Sequence, residues 1–185
     1  MKKVIRNIAG LLAIAAFTIS FQSCAEQKKE DKNTIEVSKE TAVEKTEAAK
    51  TATELSFKND QAKLVFDNYI LIKDALVKGD VENATTAAKS VEEASGEAYP
   101  EIFAAAKSIS ETADIEKQRE GFEALTLAIT PMIKENIASG AIYKQHCPMA
   151  FQNKGADWFA MEEQVNNPYF GDKMLHCGMV KETIK

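Results

Sequence analysis

Positive charge is in short supply in this 185-residue chain, which has 23 Lys and Arg against 28 Asp and Glu. The first 23 residues hold Lys2, Lys3 and Arg6 and no acid, so from Cys24 onward 20 basic residues face 28 acidic ones, a balance of −8. Such a chain offers phosphates no positive face, which excludes nucleic acid as a partner and leaves a weak attraction for cations. A long apolar run is also missing. The longest candidate, Ile8 to Phe21, falls short of the roughly 20 residues that span a bilayer. The length provides for one core but hardly two.

What the N-terminus does have is the order of an export signal. A short basic region (residues 1–6) precedes the apolar run, and Gln22 and Ser23 then lead to Cys24. Phe21-Gln22-Ser23-Cys24 resembles a relaxed lipobox, which implies that residues 1–23 are a lipoprotein signal peptide and that Cys24 is lipidated. Two or more acyl chains give stable anchoring, so the chain is expected in the cell envelope, facing the periplasm or exposed on the outer membrane. Residues 24–57 are dominated by Lys, Glu, Thr, Ala and Ser, with no aromatic before Phe57. Too little can be buried there to offset ordering entropy, and the stretch reads as a disordered tether.

Helical spacing begins near Asn59. Leu64, Val65, Tyr69, Ile72 and Leu76 mark one helix, which Lys78-Gly79-Asp80 ends while capping the next. Val81, Ala84, Ala87, Ala88 and Val91 form a second, small-residue face. Pro100 suits the first position of a third helix with Ile102, Phe103, Ala106 and Ile109. Asp114 caps a fourth that carries Ile115, Phe122, Leu125, Leu127, Ile129 and Ile133, with a kink expected at Pro131. Residues 58–139 therefore read as an antiparallel four-helix bundle whose stripes are core. The fold class expected is all-α, with an irregular Cys- and Met-rich segment, residues 140–185, packed on the bundle.

That last segment concentrates the rare side chains. Residues 143–180 hold both histidines, the two cysteines other than Cys24, the only tryptophan and four of the six methionines. Two clusters mirror each other: His146-Cys147-Pro148-Met149 and Met174-Leu175-His176-Cys177-Gly178-Met179. Thiolate and thioether donors are soft and select Cu(I) over hard ions, while imidazole widens the choice toward Zn(II) and Cu(II). Cys147, Met149, Met174 and Cys177 are the primary candidate ligands, with His146, His176 and Met179 as weaker ones. Pro148 and Gly178 would set tight turns beside the cysteines. Trp158, Tyr169 and Phe170 read as packing around the site, and Glu162 and Glu163 as a solvated helix surface. No third group orients a Cys–His pair for nucleophilic catalysis, so no enzyme is expected.

The string Tyr143-x-x-x-Cys147-Pro148-Met149-Ala150, then Gly155-Ala156-x-Trp158, then Asn167-Pro168-Tyr169-Phe170-Gly171-x-x-Met174-Leu175-x-Cys177-Gly178 resembles a domain family of unknown function. That family is common in Bacteroidota lipoproteins and is also fused to CusB-type adaptors of copper and silver efflux pumps. Arg119-x-x-Phe122 fits it too, so the resemblance covers about residues 60–180. It implies copper handling, with Ag(I) or Zn(II) as other cargoes and an efflux adaptor or another copper protein as partner. The residues alone imply only a soft-metal site. A plainer alternative stands beside it: two cysteines in an exported protein readily form a disulfide, and Cys147–Cys177 would staple a structural or interaction module.

Overall fold

The computed structural model describes residues 54–185, so the readings of Cys24, the signal peptide and most of the tether lie outside the described residues. Asn59 is extended and its side chain accepts from the Ala62 N–H at 2.7 Å, which starts α1 (Asp60–Lys78). Gly79 ends α1 in the left-handed conformation, and Asp80 caps α2 (Val81–Ser95) through the Asn83 N–H. Pro100 opens α3 (Pro100–Ser110), and Asp114 caps α4 (Ile115–Asn136). Consecutive helices pack against one another and α4 returns to α1. The alanine face of α2 is buried, as its small side chains require for close approach. None of these helices is long and apolar enough to cross a membrane.

The rest of the described chain is not wholly irregular, although residues 161–178 hold only a short 3-10 turn. Ser56–Phe57 (β1), at the end of the span read as tether, pairs antiparallel with Ile137–Ser139 (β2). Ile142–Cys147 (β3), Ala156–Ala160 (β4) and Met179–Ile184 (β5) form a second antiparallel sheet in the order β4–β3–β5. The all-α expectation is therefore corrected to a mixed α/β fold. The reason lies in the strands themselves. Buried positions of β3 include Gln145 and Cys147 rather than an alternating apolar set, and β5 is an edge strand exposed at every position but Ile184. Neither strand carries the period-two hydrophobic signal that identifies a half-buried strand.

Three stripe residues read as core face solvent instead: Leu64 is 53%, Phe103 37% and Leu127 67% exposed. The helices pack on one side only, so apolar side chains at the margin of each stripe stay wet. Pro131 is accommodated inside α4, which runs on to Asn136.

One aromatic core joins helices and sheet. Tyr69 of α1 stacks on Phe122 of α4 at 4.9 Å and meets Phe159 of β4 at 6.1 Å, and Phe122 meets Tyr169 at 6.0 Å. The Tyr69 hydroxyl lies 2.8 Å from the Thr126 hydroxyl and accepts the Phe159 N–H, which leaves no buried polar end unpaired there. Burial pushes the Tyr69 phenol well above its ordinary pKa, even though bonds to Thr126 and Phe159 oppose the shift. Lys73 of α1, also buried, reaches Glu162 at 2.6 Å in the loop after β4. Glu162 is thus not on a helix surface but fixes that loop to α1.

Arg119 makes the second tie. Its Nε donates to the Pro168 carbonyl at 3.0 Å, Nη2 to the Leu76 carbonyl at 3.5 Å and Nη1 to Glu116 at 2.7 Å. Gly171 completes the joint. With φ +56 its backbone is left-handed, and a Cβ there would lie 2.9 Å from the Val77 carbonyl oxygen and 3.1 Å from Arg119 Nη2. Gly171→Ala is expected to destabilise the fold by about 1–3 kcal/mol through left-handed strain plus overpacking, read as a lower denaturant midpoint at unchanged slope. An unshifted midpoint would show that the joint yields freely.

Candidate thiol and soft-metal site

The two cysteines distant in sequence come together across neighbouring strands. Cys147 ends β3 and is completely buried, while Cys177 lies just before β5 and is partly buried. Because β3 and β5 pair with His146 opposite Met179, Cys147, one residue after His146, and Cys177, two residues before Met179, are brought to the same end of the sheet. Both are free thiols, with sulfurs 3.2 Å apart. That spacing exceeds the roughly 2.05 Å of a disulfide. It is less than the ~3.8 Å separating two sulfurs on one tetrahedral ion with bonds of about 2.3 Å. The spacing lies between the two states.

The Cys177 main chain is held from three sides. Its N–H donates to the Met174 carbonyl at 3.0 Å, and its carbonyl accepts from Asn167 Nδ2 at 2.7 Å. Gly178 follows with φ +147, and a Cβ there would lie 2.8 Å from the His146 carbonyl oxygen and 3.0 Å from Trp158. Asn167 is buried and also accepts the Tyr169 N–H through Oδ1 at 2.8 Å, while its own N–H donates to the Leu175 carbonyl at 2.7 Å. Asn167 is therefore the clamp that carries the second cysteine cluster, a role beyond the turn that Asn167-Pro168 announces in sequence. The Tyr169 hydroxyl closes the frame by donating to the Asp157 carbonyl at 2.6 Å.

Cys177 has its thiol pKa raised, first by the hydrogen bond with Cys147, then by burial and by the charge Cys147 would carry. Two thiols in contact resist becoming two thiolates, since the second negative charge would form beside the first.

The remaining candidates are disposed as follows. Met174 is half-buried, its carbonyl bonded to the Cys177 N–H. Met149 and Met179 are 45% and 60% exposed. Met149 precedes a left-handed turn at Phe151, Gln152 and Asn153 (φ 48, 59 and 68), a conformation costing about 1–2 kcal/mol per residue outside glycine. Phe151 holds this turn by packing edge-on to Tyr169 at 5.2 Å. The imidazoles are engaged elsewhere. His176 is exposed and donates from Nδ1 to the Val165 carbonyl at 2.7 Å. His146, next to Cys147 on a strand, projects to the opposite face and meets Asp157 at 2.6 Å through Nδ1. Among the described residues, no three His, Cys, Asp or Glu side chains converge as a metal-holding group.

Asp157 gathers charge on that opposite face, with Lys144 at 2.8 Å and Lys181 at 3.6 Å besides His146. Burial alone would raise its pKa. The hydrogen bonds from Lys144 and His146 and the charges of Lys144 and Lys181 outweigh burial and hold the carboxyl below the usual carboxylate range. A carboxyl whose pKa is lower folded than unfolded stabilises fully above the unfolded value, about 3.9, and loses that contribution as pH falls through the folded value. The wild type should therefore lose stability between about pH 5 and pH 2 more steeply than Asp157→Asn, in denaturation midpoints measured across that range. Parallel curves would remove Asp157 as the cause.

A family model described as a protein of unknown function (DUF3347) matches residues 65–140, less than half of the chain. The matched span covers most of α1, all of α2, α3 and α4, and β2, and it stops before the strand that carries Cys147. No curated protein and no solved structure matches the chain.

Proposed function

We propose that this chain is an envelope lipoprotein, anchored through Cys24, that binds a soft metal ion at Cys147 and Cys177. The cargo that fits best is Cu(I), with Ag(I) and Zn(II) as other ions the donors accept. One observation carries the reading: two free thiols from separate sequence clusters stand 3.2 Å apart with one of them only partly buried. Met174, whose backbone is bonded to that of Cys177, and Met149, two residues after Cys147, are the thioethers that would complete the site. Binding replaces two thiol protons by one ion, so protons are released and affinity rises with pH. The likeness of the Cys147-Pro148-Met149 and Met174-to-Gly178 strings to segments fused to CusB-type adaptors supports delivery to an efflux system, or sequestration, as the outcome. No catalytic step belongs to this reading. The test is titration of the reduced protein against a chromophoric Cu(I) chelator: one equivalent withdrawn from the chelator supports the site, and none rejects it.

A second reading rests on the burial of Cys147. A sulfur sealed in the core beside its partner is also well placed for a structural disulfide that staples β3 to the start of β5. In that case the molecule is an interaction module, and thiol counting on native protein finds the pair protected.

A further inference from the structure

The two sulfurs are unequal, and the inequality has a direction. Cys147 belongs to the continuous core that includes Ala150, Ala156, Trp158 and Tyr169, and none of its surface is accessible. Cys177 stands at the margin, only partly buried, with its backbone clamped by Asn167 and Met174. Thiol–disulfide exchange requires the attacking sulfur to approach one sulfur of the disulfide in line with the bond, expelling the other. With the pair oxidised, Cys177 is the partly accessible partner and Cys147 the sealed one, so attack from solvent falls on the Cys177 side and the leaving Cys147 sulfur departs into a position the core already holds.

We infer that Cys177 is the exchange sulfur of a redox gate on this site, through which an exported dithiol reductant of the Cys-x-x-Cys class opens the pair. This rests on the reading above only in naming the metal as what the gate admits. The steps balance as follows. One thiolate of the reductant attacks the Cys177 sulfur, forming a mixed disulfide and releasing Cys147 as a thiolate that takes up a proton. The second thiolate of the reductant then attacks its own neighbouring sulfur in the mixed disulfide and releases Cys177, which is protonated in turn. Two electrons pass from the dithiol to the protein, the reductant leaves as a disulfide, and the protein is left as the dithiol. Reoxidation by an exported disulfide of the same class runs the steps backward, again through Cys177.

The experiment uses the full chain in a Cys24→Ser background, free of metal. Oxidised protein is mixed with a single-cysteine variant of a thioredoxin-type reductant, which stops at the mixed disulfide, and the joined peptide is mapped by mass spectrometry. The partner is expected on Cys177; finding it on Cys147, or equally on both, overturns the assignment. In parallel, Cys147→Ser and Cys177→Ser proteins are reacted with a chromogenic aryl disulfide. Cys177 should react more than about tenfold faster than Cys147, whose access requires local opening. Equal rates, or a faster Cys147, contradict the proposal. Brief alkylation of reduced protein that retains both cysteines, followed by peptide mapping, gives the same comparison where a serine variant fails to fold. None of these readouts involves copper, so loss of the metal reading would leave the exchange polarity standing and would remove only its cargo.

Discussion

Replacing both sulfur ligands, Cys147→Ser with Cys177→Ser, should weaken Cu(I) binding by more than about a hundredfold, because losing only a group that hydrogen-bonds to a ligand already costs about 10–100-fold at metal sites. The argument is one of donor type as much as number. Serine keeps the size of the side chain but presents a hard oxygen whose proton a soft ion does not displace, so the chelate disappears without a change of shape. Each single variant should retain a one-sulfur site of intermediate affinity. Met149→Leu and Met174→Leu should have smaller effects, since a thioether adds a neutral donor to a site whose charge balance rests on the thiolates. The same proteins in far-ultraviolet circular dichroism should be unchanged, because neither sulfur holds a secondary-structure element by a hydrogen bond. Unaltered Cu(I) affinity in the double variant would place the binding elsewhere in the chain.

Oxidising the metal-free protein should raise its unfolding free energy by roughly 3–4 kcal/mol over the reduced form, the loop-entropy value for closing about 30 residues. The gain is expected to be close to that full value because the native state needs little rearrangement: the sulfurs, at the end of β3 and just before β5, are 3.2 Å apart before any bond forms. Engineered disulfides fall short when they strain the fold, and here the fold brings the partners into contact by itself. Denaturation with and without reductant, in the Cys24→Ser background, measures the difference. Equal stabilities would mean that bonding the sulfurs distorts the β3–β5 pairing enough to cancel the entropic gain.

The helix ends of this fold are legible in the sequence, the margins of the buried stripes less so. Gly79, Asp80, Pro100 and Asp114 fall at the helix ends their chemistry assigns to them. The sheet was not legible, because its signal is held in tertiary pairings. Gln145, buried on β3, donates to the carbonyls of Glu162, Glu163 and Gln164, so a polar side chain fills a core position that pattern reading treats as surface. The left-handed turn at Phe151–Asn153 carries no glycine or proline to announce it and is held by the Phe151–Tyr169 contact. Of the candidate site, the cysteine pair could be singled out by rarity alone, and the fold brings its members together. The histidines beside them drew notice for the same reason, yet strand alternation turns His146 away and His176 is spent on a backbone carbonyl. Asn167, which fixes the Cys177 loop, looked like a turn residue because its partners lie as far off as Cys177.

X-ray absorption at the copper edge of the reduced, Cu(I)-loaded protein tests the metal site most directly. Sulfur donors around the copper are expected, and their signal should vanish in the Cys147→Ser, Cys177→Ser protein. A shell of nitrogen and oxygen alone, or reduced protein that retains no copper, would contradict it.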